Sequence, residues 1–271
     1  MGPSVLTCLY GPIAPQKHSS WSRTERHVTQ RYANYREPHP QEEALVPHGS
    51  LSLPARLFLL GFDTSKGQVS DAPDLALAVR AAALAELAGR RMISDVDGVV
   101  TPVLGARTGD PVLDELMELA EESRPRTWRT WIRYRSDAAL GTVRRRLATE
   151  GYLSRERKRV LGVFPVTRYR LARAEYVEVL RAEVLGALAG PLPVGQVDRD
   201  DAVLAVLATV GELSAPVSGP GRRAHRDRLD DLVVHAGDAS PELAEAMDDI
   251  RTALASAVEA AEAARAAGDG G

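Results

Sequence analysis

Between positions 75 and 88 the chain is apolar at every residue except Arg80 and Glu86. A helix that is hydrophobic nearly all the way round cannot lie on a surface, because every face would meet water, so other elements must enclose it. The spacing predicts this helix over about 73–88. Its two charges exclude a membrane span, which needs roughly 18 or more apolar residues in a row, and no such run occurs elsewhere in the 271 residues.

Aromatic residues make up only 5% of the chain while Ala, Leu, Val and Arg dominate, a balance that favours helices held by small aliphatic contacts over a sandwich or barrel. The expected fold class is mainly α. The length suits one large domain with a tail, or two small domains. Lys17, Lys66 and Lys158 are the only lysines among 34 basic residues, a codon bias that suggests a GC-rich genome, and a bacterial source is expected. Cys8 is the single cysteine; no disulfide framework or cysteine-based metal site can form within one chain, and a reducing cytoplasm is the expected compartment. The apolar stretch at 5–10 is too short for a signal peptide, and no basic residue precedes it.

Residues 1–49 mix Pro, His, Ser and Arg without helical or strand period. They are expected to be disordered, or to lie upstream of the true start. The folded domain is expected over 50–267, and 268–271 as a disordered end. Order begins at Leu53-Pro-Ala-Arg-Leu-Phe-Leu-Leu-Gly61, followed by a turn at 63–67. Met92-Ile-Ser and Val99-Val-Thr flank Asp95-Val-Asp-Gly98, which reads as a hairpin because Asp-Gly favours the tight turn that matches strand twist. Asp95 and Asp97 resemble a fragment of a calcium loop, but the other ligands are missing, so the turn is preferred. Asp110-Pro111 opens a helix to Glu122, with an N-cap carboxylate and Pro at the first helical position. Trp128 and Trp131 share one side of a short helix and are expected to be core anchors. Further helices are predicted at 138–151, 173–189, 201–213, 222–236 and 240–267, with a β-hairpin at 160–171 around Phe164-Pro165.

Charge is partitioned sharply. Between positions 123 and 173 fifteen basic residues stand against Asp137, Glu150 and Glu156, a net of +12, which leaves −15 for the rest of a chain whose total is −3. One face should attract phosphates, and both nucleic acid and a membrane surface qualify.

Two arginines need an explanation beyond that face. At about 100° per residue, Leu77, Arg80, Leu84 and Leu87 fall within about 80° of one another, so Arg80 points where the leucines point. A guanidinium there keeps its proton and needs an anion, either a carboxylate of the protein or a phosphate from outside. From Arg80 alone the structural salt bridge is the stronger alternative. Arg144 lies about 40° from Leu140 at the edge of the next helix's inner stripe, where a half-buried arginine can capture phosphate by paired hydrogen bonds; Arg145 and Arg146 are expected to face solvent. Val160, Leu161, Val163, Phe164 and Val166 give the second hairpin an apolar tip in a basic frame, suited to a membrane interface or to self-association. A helix followed by a basic hairpin also suits a DNA-reading winged helix, so the pattern alone leaves lipid and nucleic acid level. No motif for catalysis, metal or cofactor binding is found, and an enzyme is not expected.

Taken in order, Leu57-Phe-Leu-Leu-Gly61, Lys66-Gly67, Val79-Arg80, Glu86-Leu-Ala, Gly89-Arg90, Thr108-Gly-Asp-Pro-Val-Leu-Asp-Glu115, Val143-Arg144, Arg146-Leu147 and Glu150-Gly-Tyr-Leu153 resemble the Golgi phosphoprotein 3 family over about 53–265. The resemblance implies a helical domain with a four-helix core, peripheral amphipathic helices and short β-hairpins. It also implies a phosphatidylinositol 4-phosphate site on a basic face, with Arg80 and Arg144 at two of the family's phosphate-binding positions, and a hairpin used in self-association and membrane contact. Two site positions depart from the family pattern: Asp71 stands where the family has tryptophan, and Gly141 where it has a further arginine. The resemblance therefore favours an anionic phospholipid or phosphoinositide headgroup as partner, at the inner face of the membrane, with a protein cargo as a further possible partner, over nucleic acid.

Overall fold

The computed structural model describes residues 51–63, 68–69, 74–160, 164–211, 213, 225–238 and 241–268. The expectations for 1–49 and for the turn at 64–67 lie outside them. Helix α1 (Leu53–Leu60) carries Pro54 in its first turn, where a missing N–H costs nothing, and all its residues are buried. It ends at Gly61, where an added Cβ would meet Leu75 Cδ1 at 2.8 Å. The tightness of that contact sets how closely α1 docks on α2 (Asp74–Gly89). From 75 to 85 every residue of α2 is buried, as its sequence requires. Glu86 is partly buried and its carboxylate is satisfied: Oε2 accepts from the Leu53 amide at 2.7 Å, and Oε1 pairs with Arg90. A side chain of α2 thus satisfies one of the free donors at the start of α1.

Four helices form the core, with α2 and α7 (Arg199–Val210) each touching both α1 and the long C-terminal α9 (Pro241–Gly268). Helix α7 is the second enclosed element, buried throughout 202–210, and starts on Asp198, whose Oδ1 accepts from Asp200 N at 2.9 Å. Its predicted extension to 213 is cut at Gly211, where a Cβ would stand 3.0 Å from Ala78 Cβ. Around this core lie α3 (Pro111–Glu122), α4 (Trp128–Arg133), α5 (Ser136–Thr149), α6 (Ala174–Ala189) and α8 (Arg226–Gly237). The mainly α expectation is met.

Three two-stranded antiparallel hairpins complete the described structure: β1 (Phe62–Asp63) with β2 (Gln68–Val69), β3 (Ile93–Val96) with β4 (Val99–Pro102), and β5 (Leu153–Val160) with β6 (Phe164–Leu171). The Asp-Gly turn forms as predicted, with φ of 54° at Asp97 and 78° at Gly98. Asp95 serves that turn: Oδ1 accepts from Gly98 N at 2.7 Å and Oδ2 from Trp128 Nε1 at 2.5 Å. Trp128 and Trp131 are both buried core anchors. The last hairpin begins earlier than predicted, because the basic flank from Leu153 is itself strand and pairs from Leu153↔Leu171 to Val160↔Phe164.

Candidate functional site

Arg80 sits in the middle of α2 and is 2% exposed. Among the described residues no carboxylate comes within ion-pairing distance of it. Among the described residues it makes one hydrogen bond, from Nη2 to the carbonyl of Arg135 at 3.0 Å, and Nε is buried without a partner. Burial lowers its pKa to about 10, with Arg135 adding to the fall and Glu115 opposing it. This corrects the structural salt bridge that Arg80 alone suggested. The acid that reaches it electrostatically, Glu115, accepts a hydrogen bond from Thr142 Oγ1.

Helix α5 supplies the other side. It packs on α1, α2 and α3, and its arginines have three different fates. The Arg144 guanidinium lies 5.7 Å from the centre of the buried Phe58 ring on α1, half-buried as its position at the edge of the apolar stripe predicted. Arg145 is exposed as expected and donates to Thr142 Oγ1 at 2.8 Å. Arg146 does not face solvent, contrary to the helical-wheel reading. It pairs with Asp110 and, at 2.9 Å, with Glu150, and donates to Ser52 Oγ at 3.1 Å. The wheel placed Arg146 outside α5 correctly but could not show that the N-cap of α3 and the start of α1 cover that side. At Gly141 an added Cβ would meet only Arg145 Nη1, at 3.4 Å, so the departure from the family leaves the surface open there. Asp71 lies outside the described residues.

Not all of the +12 segment is free charge. Arg126 stacks on Tyr134 at 4.1 Å, Arg173 on Tyr152 at 4.6 Å, and Arg170 pairs with Glu156 at 3.0 Å. Arg124, Arg129, Arg133, Arg135 and Arg155 are exposed with no acidic partner among the described residues. The backbones of Val160, Phe164 and Val166 lie in the last hairpin as predicted; Leu161 and Val163 fall outside the described residues.

One ionic centre was not anticipated. Arg56 on α1, almost fully buried, meets Asp201 at 2.6 Å, Asp200 at 3.6 Å and Glu183 at 3.8 Å. Three carboxylates against one guanidinium cannot all be ionised cheaply. Burial, with Asp201 adding, pushes Glu183 up to about 7; Asp200 and Asp201 are also raised, chiefly by burial. Arg56 could have been noticed as a lone charge in an apolar helix, the same signal that marked Arg80.

Among the described residues the molecule is thus a mainly helical domain that holds a fully buried arginine, Arg80, with no carboxylate partner. A model of the Golgi phosphoprotein 3 family matches residues 53–266, and the chain belongs to that family. A comparison with curated proteins finds none that matches. The winged-helix alternative gains no support from this family match. No helix among the described residues is long and apolar enough to cross a membrane.

Proposed function

We propose that this protein is a non-catalytic, peripheral membrane protein that binds phosphorylated or anionic lipid headgroups, of the phosphatidylinositol 4-phosphate type, through its arginine-rich face. The observation that carries the proposal is Arg80. A buried guanidinium with a single carbonyl partner is a costly feature, and an incoming phosphate supplies the charge-assisted bonds it lacks. The exposed arginines at 124–135 and 145 border the same helices and would add roughly 1 kcal/mol each near an anionic surface. The β5–β6 hairpin is assigned to membrane contact or self-association, and an adaptor role for a protein cargo is compatible with this arrangement.

Sedimentation with vesicles tests it. Full-length protein should pellet with phosphatidylcholine vesicles containing phosphatidylinositol 4-phosphate, pellet less with phosphatidylserine vesicles of matched charge, and release at high salt. Equal recovery with neutral and anionic vesicles would reject lipid binding.

A further inference from the structure

Helix α6 carries an acid where its packing asks for an apolar residue. Tyr176, Leu180, Glu183 and Ala187 follow one another at spacings of four, three and four, so they share one face of the helix. Tyr176, Leu180 and Ala187 are buried, and the Glu183 side chain is only 26% exposed. That carboxylate faces Arg56 at 3.8 Å, a guanidinium that Asp201 already holds at 2.6 Å and Asp200 meets at 3.6 Å. The other charged or titratable groups around the cluster, among the described residues, are Asp198 at the N-cap of α7, Tyr176 and Arg181 on α6, and the Glu86–Arg90 pair on α2. Arg181 is engaged by Glu178 and the Phe62 carbonyl. Acid thus outnumbers base where α1, α6 and α7 meet.

The same helix supports the base of the β5–β6 hairpin. Tyr176 in its first turn meets Tyr152 edge-on at 5.0 Å. Tyr152 stands beside the first hairpin pair, Leu153↔Leu171, and its carbonyl accepts from Ala172 N at 2.9 Å. What loosens α6 therefore loosens the footing of the hairpin.

We propose that Glu183 is a proton-operated latch: protonated, it lets α6 seat against Arg56 and α7, and ionised, it crowds Asp201 and releases the helix together with the hairpin base. The inference rests on the packing of these helices and not on the lipid reading. A neutral carboxyl still accepts a hydrogen bond from Arg56 but no longer repels its neighbours. Burial, with Asp201 adding, Arg56 opposing and Asp198 adding last, raises Glu183 from 4.5 to about 7. A folded-state value above the unfolded one means that the seated helix gains a proton as pH falls, and that the latch is lost as pH rises through about 7.

Hydrogen exchange of the full chain at about pH 6 and about pH 8, with each rate corrected for the intrinsic effect of pH, tests the latch. The α6 amides should be protected about tenfold more at the lower pH, the ratio expected of a group that titrates near 7 when seated and near 4.5 when released, while the enclosed α2 changes less. Glu183→Gln, uncharged throughout, should keep the higher protection at both values. Asp201→Asn leaves Arg56 to Glu183 and should move the transition to lower pH. Equal protection of α6 at the two pH values, or an equal change in α2 and α6, overturns the inference. So does a Glu183→Gln variant that keeps the parental pH dependence or leaves α6 unprotected at both. An unmoved transition in Asp201→Asn assigns the titration to another group and overturns it as well.

Discussion

Replacing Arg80 by Met keeps the unbranched stem and removes the charge, and the geometry fixes what should follow. Burial lowers the Arg80 pKa from 12.5 to about 10, which corresponds to about 3 kcal/mol of penalty on the charged form. The hydrogen bond to the Arg135 carbonyl returns roughly 1.5–3 kcal/mol of that. Because the folded-state pKa is depressed, the penalty is present at every pH below about 10, so a melt at neutral pH registers all of it. Arg80→Met should therefore leave the protein as stable as the parent or more stable by about 1 kcal/mol, a Tm rise of about 2–4 °C for a domain of this size. Binding to vesicles containing phosphatidylinositol 4-phosphate should fall by at least about tenfold. An arginine held by a buried carboxylate behaves in the opposite way, since its removal strands that charge and costs about 3–5 kcal/mol. A Tm lowered by about 10 °C with vesicle binding retained would refute the reasoning. Differential scanning fluorimetry beside sedimentation at one salt concentration separates the two outcomes.

Arg146→Met removes the cation from the buried Asp110 carboxylate at the start of α3 and should cost about 3 kcal/mol, while the folded fraction binds vesicles like the parent; an unchanged Tm would show that the pair is dispensable. Glu183, raised from 4.5 to about 7, holds its proton more tightly folded than unfolded, so its contribution improves as pH falls from about 8 to about 5. Glu183→Gln should remove about 1–2 kcal/mol of that rise after allowance for its partial exposure, and identical pH–Tm slopes in parent and variant would contradict the assignment. Replacing Leu161 and Phe164 together by Ser should lower the mass seen by light scattering or weaken vesicle binding, and no change in either would reject both roles for the hairpin.

The enclosed helix was legible because an all-round apolar pattern has one physical solution. The Asp97–Gly98 turn was legible because its two positive φ values demand residues that tolerate them. Arg80 stood out for the same reason as the helix: a charge at 80 contradicts everything around it. What could not be read was who covers whom. Arg146 looked solvated on its own helix, and only the approach of Asp110 and Ser52 from elsewhere in the chain gives it partners. Arg56 and its three carboxylates come from α1, α6 and α7, and no local pattern links segments so far apart. Even the salt-bridge preference at Arg80 failed on this point, since whether a carboxylate reaches position 80 is a tertiary question.

The Arg146 contacts also bear on how long the folded state persists. The bond to Ser52 joins residues 94 apart in the chain, and the pair with Asp110 closes a second long loop. Loop closure of this kind has its entropy repaid only after the intervening helices have formed and docked. Contacts that form late add little to the rate of folding and much to the barrier against opening. Arg146, which ties the first turn of α3, the approach to α1 and the end of α5, is therefore expected to slow unfolding more than it speeds folding.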